Sequence, residues 1–320
     1  MIAPLREALA RRQGMQALAG KLNAGFPAAP PVPERLIKSD SKGMVAIGRW
    51  HDKPVIIKQF AAEDAPARIA RMEADHRRLS ALFPYKGLDF AAMLAAAPAQ
   101  GIVLLPPLPG IRLDEAMIMR SPAERLELVT KAGQWLARSL GGARDRGSFS
   151  PNHWRRMLKD QLGRARLPAE DSRLLDTCLA RLAAMAPALR GGKIPRGPIH
   201  RDFSPQNIHW DSANGNLGVF DLDYRTEQAI ALALVRIASE LTQRLWPHAP
   251  EMPLDQGLCR DLRTALLGVP GLEHDGFDSY YVTFLTGVRL GALLIEKQNN
   301  ARISAARACV TNWLETAPCP

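Results

Sequence analysis

The run His200-Arg201-Asp202-Phe203-Ser204-Pro205-Gln206-Asn207 puts an acid and an amide five positions apart on a short loop. Two strand-like segments follow, Ile208-His209-Trp210 and Leu217-Gly218-Val219-Phe220, flanking Asn214-Gly215, and the second runs into Asp221-Leu222-Asp223. These residue types at this spacing suit phosphoryl transfer. That reaction asks little covalent chemistry of a protein. It needs metal ions on the phosphates, a cation to orient them and an acceptor for the hydroxyl proton. An Asp and an Asn on one loop can face the nucleophile and a metal respectively. A carboxylate ending the next strand can take the metal's other side, because Mg²⁺ prefers hard oxygen ligands.

His-Arg-Asp-x-x-x-x-Asn followed by Asp-x-x resembles the catalytic and metal-binding loops of the protein-kinase-like superfamily. The runs Asp-Phe-Ser-Pro-Gln-Asn and Val-Phe-Asp-Leu-Asp are most similar to its aminoglycoside phosphotransferase and choline kinase branch. The resemblance implies ATP as donor, Mg²⁺ as metal, Asp202 as general base, and Asn207 and Asp221 as metal ligands. Asp223 is then either a second metal-site carboxylate or a cap on the turn. Lys58, ending Val55-Ile56-Ile57-Lys58, resembles the lysine that pairs the α- and β-phosphates. Glu73, fifteen positions later, stands where that lysine's glutamate partner belongs, with Glu63 as a competitor. Residues 39–43 take the place of the nucleotide loop, which makes Ser41 and Gly43 candidates for nucleotide binding. Val103-Leu104-Leu105-Pro106-Pro107-Leu108-Pro109-Gly110 resembles the hinge of the branch, whose backbone between Leu105 and Leu108 would meet adenine.

The chain also departs from these patterns. Residues 39–43 lack G-x-G-x-x-G, Arg201 stands where the small-molecule branch usually has Gly, and Ser204 takes the place of the lysine that protein kinases carry two residues after the base. No Ala-Pro-Glu follows, and too few residues separate Asp223 from the next helical stretch for a full activation loop, so protein-kinase activity is not expected. Two rivals stand beside the small-molecule kinase: a kinase for lipid, lipopolysaccharide or protein acceptors, and a catalytically retired binding protein. The presence of the lysine, the base, the Asn and the metal Asp speaks against the second.

The elements that must position these groups follow from pattern. Residues 2–22 place Leu5, Leu9, Leu18 and Leu22 at helical spacing, for an amphipathic helix packed on the body. Ala28-Ala29-Pro30-Pro31-Val32-Pro33 forms a stiff connector. Strand signals cover residues 35–38, 44–50, 55–58 and 101–105, and Asp64 is placed to cap a helix over 65–82. Pro106-Pro107-Leu108-Pro109-Gly110 marks the boundary between an N-terminal lobe, 1–110, and a C-terminal lobe, 111–320. Beyond it, Ser121-Pro122-Ala123-Glu124 is a capping box, with its helix ending at Gly141-Gly142. Further helices open at Ser150-Pro151 and Pro168, Asn214-Gly215 turns a hairpin, and the chain is helical from Ala229 onward. The expected fold is α+β, a two-lobed protein-kinase-like arrangement of a small β-rich lobe and a larger, mostly helical one.

Composition bounds the rest. At 320 residues with 47% hydrophobic and 23% charged side chains, the chain is an ordinary globular protein. No apolar run reaches the ~18 residues of a membrane span. The charged start stands where a signal peptide needs an apolar stretch, so secretion by that route is not expected, and the four cysteines lack metal-like pairing, so a reducing cytoplasm is expected. The net charge of +10 is spread along the chain without a basic tail, which points away from specific nucleic-acid binding and toward a neutral or anionic acceptor rather than a polycation. In particular, Glu251 and Asp255 are flanked by Arg244 and Arg260 in sequence.

Overall fold

A computed structural model describes residues 2–61, 64–142, 144–222, 224–272, 274–297 and 302–318. The chain divides into two compact units, Met1–Pro109 with Gly218–Phe220, and Gly110–Leu217 with Asp221–Pro320.

The first unit contains α1 (Ile2–Gly25), β1 (Val32–Asp40), β2 (Gly43–Trp50), β3 (Lys53–Phe60), α2 (Ala65–Ser80), β4 (Leu88–Phe90), β5 (Ala95–Ala97) and β6 (Ile102–Leu105). Five strands form an antiparallel sheet in the order β1-β2-β3-β6-β5, so the strand ending near Lys58 is central. The two-residue period of β3 sorts its side chains. Val55 and Ile57 pack with Leu18 and Leu22 of α1 and with Ala46, Ile102 and Leu104. Ile56 and Phe60 pack on the other face with Ile69 and Met72 of α2 and with Val103 and Leu105. Lys58, between Ile56 and Phe60 in that alternation, shares the α2 face.

Three expectations need correcting. In α1, Leu9 is 55% exposed while Leu18 and Leu22 are fully buried, and the side chain of Leu5 lies outside the described residues. Asp64 makes no side-chain cap; its carbonyl merely accepts from Arg68 N. The connector ends sooner than expected, because Val32 and Pro33 already belong to β1, an edge strand that tolerates a proline.

The second unit contains β7 (Ile111–Arg112), α3 (Leu113–Ile118), α4 (Pro122–Ser139), β8 (Asp145–Ser148), α5 (Pro151–Arg164), α6 (Ala169–Leu189), β9 (Lys193–His200), β10 (Ile208–Asp211), β11 (Asn216–Val219), β12 (Tyr224–Ala229), α7 (Ala231–Leu245), β13 (Leu254–Asp255), β14 (Leu258–Cys259), α8 (Arg260–Leu267), α9 (Gly276–Glu296) and α10 (Ile303–Thr316). The end of β11 is counted with the first unit, where Val219 O accepts from Ala91 N at 2.9 Å. The capping box forms as expected: Ser121 Oγ accepts from Glu124 N at 3.4 Å, and the Glu124 carboxylate accepts from Ser121 N at 2.9 Å. Gly110 has φ +85°, and a Cβ there would strike the carbonyl of Trp210, so glycine lets β7 lie beside β10. α9 is the central helix of the C-terminal part, packing against α5, α6, α7 and α10.

Beyond the expected hairpin, this unit holds a three-stranded antiparallel sheet, β12-β9-β8, that the sequence pattern does not suggest. Prolines hide it. Pro195 lies in the part of β9 that pairs with β8, short of the β12 ladder. Pro198 lies past the β8 ladder and opposite a bulge in β12. Each proline therefore sits where its missing N–H costs little. This sheet delivers His200 to the start of the Asp202 loop.

In the first unit, His76 of α2 is 5% exposed, and its Nδ1 accepts from Met93 N at 2.7 Å. Burial, helped by the positive charge of Lys58, holds its pKa down to about 4. The unfolded chain, with an ordinary histidine near 6.5, therefore binds the extra proton first as pH falls. Stability from this group is present above pH 6.5 and is lost toward pH 4. We expect wild type to lose about 2 kcal/mol between pH 7 and pH 5 from this group alone. His76→Gln, which keeps an acceptor for Met93, should flatten that part of the profile. Denaturant melts at both pH values check it, and parallel profiles would contradict the assignment.

Candidate active site

The loop after β9 is shaped by its own backbone and by one buried aromatic ring. Ser204 N donates to Asp202 O at 2.8 Å, Asn207 N to Ser204 O at 2.9 Å, and Asn207 Nδ2 to Asp202 O at 2.9 Å. Asp202 N donates to His200 Nδ1 at 3.4 Å. Between these polar ties, Phe203 is fully buried and stacks on Trp135 of α4, ring centroids 5.6 Å apart at 16°. The edge of the fully buried His200 ring meets Phe203, and its face stacks on Tyr224 of β12. The next side chain along faces the opposite way: the Asp202 carboxylate is 52% exposed. A solvent-facing carboxylate on a pinned loop is what a general base requires.

Asn207, 8% exposed, uses its amide N–H on the Asp202 carbonyl, which leaves Oδ1 as the acceptor of that side chain. Asp221 follows β11 with φ +56°, a left-handed conformation that Asp tolerates better than most residues and that recurs at functional sites. Asp223 lies outside the described residues, as does Glu63. Among the described residues, no three His, Cys, Asp or Glu side chains converge on a metal position. One amide oxygen and one carboxylate nevertheless fit Mg²⁺, which keeps water and substrate phosphates as its other ligands.

The remaining candidates belong to the first unit. Lys58 is 9% exposed and pairs across the sheet with Val45 and Val103. Glu73 is half-buried on α2 and borders a cavity of about 380 Å³ together with His76 and Met93. Ser41 lies in the tight turn between β1 and β2, where Lys42 N donates to Asp40 Oδ1 at 2.8 Å. Gly43, φ +139°, closes that turn so tightly that a Cβ would collide with the carbonyl of Gln59. Leu105 ends β6, buried, and Leu108 packs over Gly218. Pro106, Pro107 and Pro109 lack N–H groups, so among residues 106–109 only Leu108 has a backbone donor.

Sequence reasoning missed Arg236 of α7. Its Nη1 donates to Asp202 Oδ1 at 2.8 Å and to Arg201 O at 2.8 Å. Its Nε lies 3.7 Å from Glu240, one turn further along α7, and Glu240 also pairs with Arg289 of α9 at 2.9 Å. The signal available was slight, an Arg-x-x-x-Glu spacing among many on a basic chain.

Residues 2–270 match the phosphotransferase enzyme family, APH. The chain belongs to this family. It is accordingly a phosphotransferase. No curated protein sequence matches it. Among solved structures, it is similar to a GDP complex of aminoglycoside 2'-phosphotransferase-IIIa, at 11% identity and TM-score 0.58, covering 94% of this chain and 98% of that one. Macrolide 2'-phosphotransferase type I matches at 12% identity and TM-score 0.54, over 92% and 96%. A thermostable mutant of aminoglycoside phosphotransferase APH(4)-Ia, in ternary complex with AMP-PNP and hygromycin B, matches at 12% identity and TM-score 0.56, over 93% and 98%. These likenesses establish the kinase-like fold of the phosphotransferase.

Within this family member, the aromatic anchor should govern both stability and activity. Phe203→Ala removes a fully buried ring and should cost about 3–5 kcal/mol. Phe203→Leu should cost less and retain more turnover. Thermal melts of the two variants check this, and an unshifted Tm for Phe203→Ala would show the ring to be dispensable.

Proposed function

We propose that the chain moves the γ-phosphoryl group of ATP, as its Mg²⁺ complex, to a hydroxyl of a neutral or anionic small molecule, with Asp202 as general base. The observation that carries this reading is the exposed Asp202 carboxylate on a loop fixed by Phe203 and tied by Asn207 to its own carbonyl. As the acceptor oxygen bonds to the γ-phosphorus, its proton passes to Asp202, and ADP leaves with the electron pair of the broken P–O bond. Asn207 and Asp221 would hold Mg²⁺, which offsets phosphate charge when bound. Asp223 would either join them or cap the turn. Lys58 would orient phosphates with Glu73 as its partner, Ser41 and Gly43 would line the nucleotide turn, and the backbone from Leu105 to Leu108 would meet adenine. Complexes with GDP and AMP-PNP among the structural neighbours support nucleotide as donor.

The charge preference gains support from the pairing of acids in the second unit. Asp114 is held by Arg112 and Arg244, Asp171 by Arg307, Glu240 by Arg236 and Arg289, Asp278 by Arg146, and Asp255 by Arg263. Arg244 and Arg260, which flank Glu251 and Asp255 in sequence, pair instead with Asp114 and Asp261. A polycation would have to compete with arginines already in place for these carboxylates. Localisation in a reducing cytoplasm is part of the same proposal. It is supported by free, buried thiols at Cys178, Cys259 and Cys309, and among the described residues no helix is long and apolar enough to cross a membrane.

Purified protein with MgATP, tested against alcohols, sugars, sugar phosphates, nucleosides and kanamycin-type drugs, should turn over a neutral or anionic acceptor best. Efficient, salt-insensitive turnover of the polycations would overturn the charge preference. Asp202→Asn should lower turnover ~10²–10⁴-fold while nucleotide still binds; a wild-type rate would remove Asp202 as base. Asn207→Ala and Asp221→Asn should each move activity to higher Mg²⁺ concentration, and metal titrations that overlay wild type would discard them as ligands.

A further inference from the structure

The base has a second holder that does not belong to its own loop. Asp202 side-chain rotation about χ2 is soft, and an exposed carboxylate samples a broad range of orientations. The hydrogen bonds from Ser204 and Asn207 fall on the Asp202 backbone carbonyl and not on its carboxylate. Ser204, two residues after the base, is 5% exposed and carries only a short neutral side chain.

Arg236 restrains the carboxylate. One nitrogen, Nη1, donates both to Asp202 Oδ1 and to Arg201 O, each at 2.8 Å. Two acceptors on one nitrogen fix the guanidinium relative to both the side chain and the backbone of the loop. Glu240 flanks Arg236 Nε at 3.7 Å and is gripped by Arg289, which also pairs with Glu296 at 3.0 Å. Arg236 is itself 29% exposed and Glu240 only 15%, so this end of the chain of charges is partly withdrawn from water and weakly screened by salt.

Resting on the reading of Asp202 as base, we propose that Arg236 is its positioning residue. It holds Oδ1 so that Oδ2 stays turned to the acceptor. The alternative is an ordinary ion pair of the fold, worth at most about 1 kcal/mol and without effect on rate.

The two are separated by a mutant cycle read in MgATP hydrolysis, with water as acceptor. Arg236→Gln should lower kcat ~10–100-fold, the size of effect that a small misplacement of a reacting group produces, and leave KM for MgATP unchanged. Arg236→Lys, which keeps a donor and a charge, should recover part of the rate. In an Asp202→Asn background, Arg236→Gln should change the residual rate less than twofold. Its effect on Tm should not exceed that of Glu240→Gln, measured alongside. A wild-type rate for Arg236→Gln beside a slow Asp202→Asn enzyme would overturn the role of Arg236 alone, as would an equal loss in both backgrounds. A wild-type rate for Asp202→Asn, or no phosphoryl transfer by the wild type to water or to any acceptor of the panel, would instead overturn the catalytic reading on which this inference rests.

Discussion

A catalytic carboxylate has to be open to its substrate and yet aimed, and those demands conflict, because exposure to solvent brings freedom. In this chain the conflict is met by alternation along one loop. Phe203 goes inward, against Trp135 and His200, while Asp202 goes outward. The apolar contact supplies the stiffness that the polar side chain cannot supply for itself. Much of the second unit converges on that contact. α4 presents Trp135, β9 brings His200, and β12 backs His200 with Tyr224. Each of these elements would be unremarkable alone, and together they set the height and direction of a single turn of backbone.

Charge is organised around the same point. The second unit buries few carboxylates: arginine holds Asp114, Asp171 and Asp278, while Asp211 accepts from Ala213 N and Asn214 Nδ2. Asp114, almost completely buried, has Arg112 at two bonding distances and Arg244 as a third contact. Breaking one side of such a pair leaves a buried ion without compensation, which costs more than the pair contributes. Burial and the neighbouring positive charge of Arg244 also pull the Arg302 pKa below its ordinary value. The positive balance read from composition is thus partly an internal matter, since many of the arginines face acids of the same chain rather than solvent.

How much of this the sequence disclosed depends on the kind of interaction. Local signals were legible. The capping box at Ser121, the Asn214-Gly215 turn and the strand through residues 55–58 all follow from a few neighbouring residues, and all three form. Asp202 and Asn207 could be read as loop partners because their spacing is itself local. What stayed hidden depended on distant partners. The β12-β9-β8 sheet has its prolines in places made harmless by ladders that end or bulge nearby, which no window of ten residues reveals. Leu9 stands half a turn around the helix from Leu18 and is largely exposed, where Leu18 is fully buried. Arg236 is separated by 34 positions from the carboxylate it holds, on a chain with arginines throughout.

The alternating series Glu296, Arg289, Glu240, Arg236, Asp202 has a consequence for how this protein can vary. Replacing an inner member by a neutral residue strands the charges on both of its sides, so single substitutions at Glu240 or Arg289 meet a penalty at two neighbours at once. Paired exchanges, such as both members becoming apolar together, avoid most of that penalty. Among relatives that keep this arrangement, residues 240 and 289 should therefore drift as a couple, while Arg236, tied at its other end to the base and to the backbone beside it, should be the slowest of the inner three to change.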